Sequence, residues 1–274
     1  MALNSFIRDF GMDGIAKTNR DTIQGNIVST FQAGTLCFYT HPIHLTRSGC
    51  FFGALTAFPF AERIGRKKTM MIASTVFLLG GTLMTASQGN LDMIYGGRAV
   101  AGLGIGASSM VVPVYISETA PPSIRGRLIG IFEIASQGGG MVGFWINYAA
   151  DRTINVEGQA QWTIPLAIQL IPGILLLLGV SWCPESPRYL AKKDDFEGAE
   201  KILERIRGLD SSHPYIRREM SEIRAQIEER SANRQGKKAQ FMKLFQKGVR
   251  NRMAVGLALM FLQSFTGVRL SICS

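Results

Sequence analysis

Apolar residues in this chain fall in long blocks separated by short charged turns. Charge is nearly absent from Met70–Ala86 and from Thr163–Cys183, then dense from Pro184 to Arg252. Blocks of that length and purity are what a bilayer's hydrocarbon core demands, and the segregation argues for a polytopic membrane protein over a soluble globule. In order, the pattern predicts membrane helices over Thr69–Ser87, from Leu91 to the turn before Arg127, over Leu128–Ala149 and over Thr163–Cys183. Two shorter apolar pieces, Ile23–Gly34 and Cys50–Ala61, precede them, each 12 residues and too short to cross alone. The 15 residues between, Thr35–Gly49, carry a proline, two histidines and an arginine. Without them the two pieces join into one span of 24 residues. Residues 35–49 are therefore expected to be an insertion, such as a retained intron. A genuine broken helix lining a cavity is the alternative.

Beyond Pro184 the period changes. Phe196–Arg207 places Ala199, Ile202, Leu203 and Ile206 on one helical side, and Pro214–Arg230 does the same with Ile216, Met220, Ile223 and Ile227. A third short amphipathic piece covers Gln240–Lys247, after a basic linker. Residues 251–268 open a further span, and residues 269–274 end it aberrantly with Arg269 where an apolar helix should continue.

Charge orients these segments. Cations cluster in 62–68, in 125–127 and across 184–252, where 17 Lys/Arg face 11 Asp/Glu, whereas the alternate loops 88–91 and 151–161 carry only Arg152. Positive loops lie on the cytoplasmic side, so residues 184–250 are expected to form a cytoplasmic helical domain and residues 1–22 an external loop. An outside N-terminus without a signal peptide predicts a missing first helix upstream. The net charge of +10 could instead point to nucleic acid. The charges alternate in sign, however, and carry no aromatic platform, so no nucleic-acid partner is expected. Cys37, Cys50, Cys183 and Cys273 show no CxxC spacing, and His41, His44 and His213 lack acidic or thiol companions. No disulfide, metal or cofactor is expected.

Few polar groups interrupt the spans. Arg98 sits inside the helix that begins at Leu91, and a cation there is costly and by default functional, unless it snorkels to the external surface. Gly102, Gly104 and Gly106 follow it. They satisfy a loose GxGxxG/A dinucleotide pattern, but that chemistry needs a strand before the glycines and a helix starting at them. Mid-run glycines fit close helix packing better. The span Leu128–Ala149 is glycine-rich and carries Glu133, Gln137 and Asn147.

Four patterns, in this order and spacing, resemble the sugar porter branch of the major facilitator superfamily. They are Glu62-Arg63-Ile64-Gly65-Arg66-Lys67, Gly97-Arg98 with the glycines and Pro113–Glu118, Arg125-Gly126-Arg127, and the stretch Pro184–Leu190, PESPRYL. The first departs from the family, with Phe58 where a glycine is usual. The resemblance implies an all-α membrane fold of twelve helices in two halves. This chain would hold helices two to six of the N-terminal half, the cytoplasmic helical domain and the start of helix seven. It implies that Glu62, Arg63, Gly65, Arg66, Glu118, Arg125, Glu185 and Arg188 form a cytoplasmic gate, within which Arg66, Glu118, Arg125, Glu185 and Arg188 make a salt-bridge network. It also implies that Arg98 couples to protons through an aspartate on helix one. Glu133 matches a sugar-binding glutamine, and the region after it resembles fungal quinate and polyol carriers. Gln137, Asn147, Gln263 and Gly267 complete the implied substrate contacts, although Ser264 replaces a second glutamine. Quinate is an anion, so contact with Glu133 would run through hydroxyls or through a protonated carboxyl. The implied function is transport of a sugar, polyol or quinate-like compound across a lipid bilayer, the plasma membrane, with proton symport and no bond-breaking chemistry. The alternatives are a non-transporting fragment or a transporter-like nutrient sensor.

Overall fold

A computed structural model describes residues 49–87, 90–154, 160–232, 251, 254–256 and 258. It divides into two compact units, Met1–Met220 and Ser221–Ser274, and the geometry below belongs to the first. The described residues form helices without strands: α1 (Gly49–Ile64), α2 (Arg66–Thr85), α3 (Leu91–Thr119), α4 (Arg125–Thr153), α5 (Ala160–Ile168), α6 (Leu170–Trp182), α7 (Pro187–Lys192), α8 (Phe196–Arg207) and α9 (Pro214–Ala232). The stretches 35–48, 240–247 and 259–274 lie outside the described residues, and with them Gln263, Gly267 and most of the expected insertion.

Local chemistry sets the boundaries. Gly65 adopts φ +109, a conformation costly for any side chain, and separates α1 from α2. Asn90 caps α3, its side chain accepting the Asp92 N–H at 3.0 Å. Two consecutive prolines follow α3 at 121 and 122. Ser186 caps α7, with Pro187 in the first helical position where its missing N–H costs nothing. Asp195 caps α8, which ends on the left-handed Gly208. The bounds expected for this helix, Phe196–Arg207, are those observed.

Two expected boundaries move. Arg125 and Arg127 stand in the first turn of α4 and not in a loop, because the prolines confine the connection to the few residues before Arg125. The apolar span expected over Thr163–Cys183 is two helices, α5 and α6, interrupted at Gln169. Pro172 supplies no N–H to the carbonyl four residues earlier, so the ladder opens there.

Close approach organises the bundle. A Cβ on Gly80 would collide with the backbone of Gly97 and Ala101, and one on Gly104 with the backbone of Ala73 and Phe77. Gly53 and Gly106 bring α1 against α3 in the same way. Small residues on α3 thus let two backbones come within reach of it, one on each flank. They do not cradle a phosphate, since they lie mid-helix. Ala57, Ala61, Met70, Val111 and Val180 then form a buried cluster joining α1, α2, α3 and α6. α4 differs along its length: among the described residues no atom would meet a Cβ at Gly126, Gly130, Gly138, Gly139, Gly140 or Gly143. Among the described residues three stretches are long and apolar enough to cross a membrane, Arg66–Thr85, Leu91–Thr119 and Ala160–Trp182. α4 spans 29 residues, and its polar positions and glycines dilute its apolar character.

Candidate functional site: a charge cluster at one end of the bundle and a polar face on α4

The charge cluster is assembled from the Gly65 turn, the end of α3 and the Pro184–Leu190 stretch. Arg66 Nη2 donates to Glu118 Oε1 at 2.8 Å, and both side chains are largely buried, at 10% and 13% exposure. Arg66 Nη1 also donates to the Ala61 carbonyl at 3.2 Å, and its guanidinium lies 5.4 Å from the Tyr189 ring centroid. The other Glu118 oxygen accepts from the Ser186 hydroxyl at 2.6 Å.

Glu185 does something different. Its Oε1 accepts three backbone N–H groups, those of Arg66 at 2.9 Å, Lys67 at 3.0 Å and its neighbour Ser186 at 3.0 Å. The first two open α2, where donors lack intrahelical partners and the helix dipole is positive, so a carboxylate is favoured twice over. Gly65 is required here for space as well as for its φ, because a Cβ would strike Glu185 Oε2. Tyrosines complete the junction: Tyr189 donates to the Arg63 carbonyl at 2.9 Å and Tyr115 to the Pro184 carbonyl at 2.8 Å. Lys67 Nζ closes the end of α6 through the Ser181 carbonyl, and an exposed pair joins Lys192 to Glu62 at 2.9 Å.

Of the eight residues expected at the gate, Glu62, Arg63, Gly65, Arg66, Glu118 and Glu185 therefore meet at this end of the bundle. Arg125 and Arg188 make no ion pair with Glu118 or Glu185. Reasoning from charge alone missed Ser186, Tyr189, Tyr115 and Lys67. The Ser-Pro order at 186–187, an N-cap followed by proline, is a signal that could have found Ser186. A second tie was missed as well. Arg207 holds Glu219 with two hydrogen bonds, at 2.8 and 3.1 Å, and donates from Nη1 to the Thr119 carbonyl at 2.9 Å.

The second feature is a polar face. Glu133, Gln137 and Asn147 are all exposed on α4, and at 100° per residue they lie within one stripe of it. Gln137 Nε2 donates to Glu133 Oε1 at 3.1 Å, and Asn147 Nδ2 to the Gly143 carbonyl at 2.9 Å. The stripe offers carboxylate and amide groups, suited to hydroxyl groups, along the middle of α4, where the other large side chains are apolar. Arg98 lies two turns into α3, half-buried. Among the described residues no group of three or more His, Cys, Asp or Glu could hold a metal, and Cys183 is a free thiol.

The model of the family described as "Sugar (and other) transporter" matches residues 1–273. The chain is 41% identical, over 98% of its length, to a probable quinate permease of Aspergillus fumigatus and to a quinate permease of Neurospora africana. It covers 47% and 48% of those proteins, so it spans about half the length of the curated relatives it matches. Among solved structures it is similar to the inward-open xylose transporter XylE from E. coli, with a TM-score of 0.68 and 22% identity. That match covers 97% of this chain and 56% of the other, and it supports the major facilitator fold. These relatives are permeases and not enzymes. With four motifs in register, the family model over nearly every residue and the fold in agreement, the chain belongs to the sugar transporter family of multi-pass membrane proteins.

Proposed function

We propose that this chain serves the transport of a quinate-like or sugar-like polyhydroxy compound across a membrane by alternating access, coupled to protons. The observation that carries the reading is the stripe of Glu133, Gln137 and Asn147 on α4, polar groups along the middle of a helix where the other large side chains are apolar. Quinate permeases among the relatives favour a polyol carrying a carboxylate, whose hydroxyls would meet Glu133 and Gln137 while its charge stays clear of the carboxylate. Gln263 and Gly267 would contribute from the following helix, and Arg98 would act as the coupling charge, since a cation inside a span is functional by default; a proton:xylose symporter of similar fold favours coupling to protons.

In this reading the charge cluster is the cytoplasmic gate. Arg66–Glu118–Ser186 and the Glu185 cap on α2 hold the helix ends together in one state, and their release as the halves rock supplies the two-state element that alternating access requires. α7 to α9 form the cytoplasmic helical domain, and the plasma membrane is the proposed location. Uptake of labelled quinate and hexoses by cells expressing the protein tests the function. Glu133→Ala should reduce uptake at least tenfold with unchanged surface expression. Equal uptake by the variant would remove Glu133 from the site.

A further inference from the structure

A groove of about 710 Å³ opens where the α3–α4 connection, the first turns of α4, Pro184 and the end of α8 meet. Its walls are apolar, made by Tyr115, Ile124, Leu128, Ile131, Phe132 and Ile206. Arg207 is the cation in the lining. Leu128 and Ile131 fall roughly 140–160° round α4 from Glu133, so the groove lies on the side of the helix away from the polar stripe. Ile131 is 60% exposed, so the mouth faces outward from the bundle.

The rim is basic. Arg125 and Arg127 occupy the first turn of α4 on either flank of the groove-lining positions. Arg125 Nε is buried without a hydrogen-bond partner among the described residues. Arg207 spends three N–H groups on Glu219 and Thr119, which leaves two of its five donors. An apolar trough with cations at one end matches an amphiphile whose tail is apolar and whose head is anionic. Basic sites of this kind at the cytoplasmic level of a membrane protein favour acidic headgroups.

We infer that this groove binds an anionic phospholipid of the cytoplasmic leaflet, an acyl chain lying along Leu128, Ile131 and Phe132 and the phosphate meeting Arg125, Arg127 and Arg207. Bound there, the lipid bridges α8 to the start of α4, next to the carbonyl of Thr119 that Arg207 already holds. The inference rests on the membrane orientation proposed above. Its test does not use transport, so the two can fail separately.

The full chain is placed in nanodiscs of equal phosphatidylserine and phosphatidylcholine, and the lipids retained on release are counted by native mass spectrometry. Phosphatidylserine should be retained in preference. Arg127→Gln should reduce that preference about fivefold, the equivalent of one lost cation near an anionic surface, while Arg127→Lys keeps it. Ile131→Trp, which fills the trough, should reduce retention of both lipids, with helix content checked by circular dichroism. Equal retention of the two lipids by the unaltered chain would overturn the inference. So would an unchanged preference in Arg127→Gln, an exposed position whose loss leaves the helices intact, or a groove covered by a second copy of the chain with no lipid retained.

Discussion

Arg66 and Glu118 sit at the point where three helix ends meet, and their burial decides what the pair is worth. At 10% and 13% exposure they lie between surface pairs, worth about 0–1 kcal/mol, and buried pairs, whose disruption costs about 3–5 kcal/mol. Glu118→Gln should therefore destabilise the protein by roughly 2–3 kcal/mol, read by thermal melting in detergent. Glu62→Gln, which breaks the half-exposed pair with Lys192, should cost under about 1 kcal/mol. Gly65→Ala should be as harmful as the first change, because it combines strain at φ +109 with eviction of the Glu185 carboxylate. At the loop before α9, the Ser212 hydroxyl and amide hold the Asp210 carboxyl below its usual range. Deprotonation is thus favoured in the folded turn, whose extra stability is present at neutral pH and is lost as pH falls through the depressed value. Ser212→Ala should raise the Asp210 pKa towards the ordinary carboxylate range in an NMR titration, and no movement would contradict the assignment. The charges of this end were legible in the sequence, but their pairing was not. Reading like a ledger of opposite signs predicts Glu185 against an arginine side chain. The structure gives it to unpaired backbone N–H groups at the start of α2, a demand that side-chain spacing does not display.

Elements follow the same division between what periodicity reveals and what contact decides. α8 was legible to the residue because Asp195 and Gly208 mark its two ends and its apolar side repeats at helical spacing. The break at Gln169 was not, since a proline within a span can kink, interrupt or simply be tolerated, and packing chooses among these. Glycines show the contrast most directly. Gly80 on α2 and Gly97 and Gly104 on α3 stand where another backbone arrives, whereas on α4 nothing among the described residues comes within 4 Å of the positions given above. The sequence shows the same residue in both places. Gly104→Leu should force α2 away from α3 and abolish folded yield, measured by size-exclusion of the purified protein. Gly138→Ala should leave yield intact and raise helix stability by about 0.5–1 kcal/mol. Equal effects at the two positions would mean that the α2–α3 approach is not what holds the bundle.

At the scale of the whole molecule, the segregation of apolar blocks and cationic turns by itself implies a multi-pass membrane chain, and family membership agrees with it. The chain spans about half of its curated relatives, and substrate paths in this architecture run between two halves. The polar stripe on α4 would then be one wall of such a path and the lipid groove its opposite flank, with the charge cluster at the end where the walls separate. The opposite placing of Glu133 and Leu128 follows from their five-residue spacing, about 140° round a helix, but the groove itself could not be read from the sequence, because Pro184 and Ile206 close it from far along the chain. It makes transport the central claim. The direct test is uptake of labelled quinate into proteoliposomes containing the protein, with and without an inward proton gradient. The account predicts uptake that rises several-fold with the gradient and falls to background in Glu133→Ala. Uptake of neither quinate nor hexoses above protein-free vesicles, with the gradient verified, would contradict it.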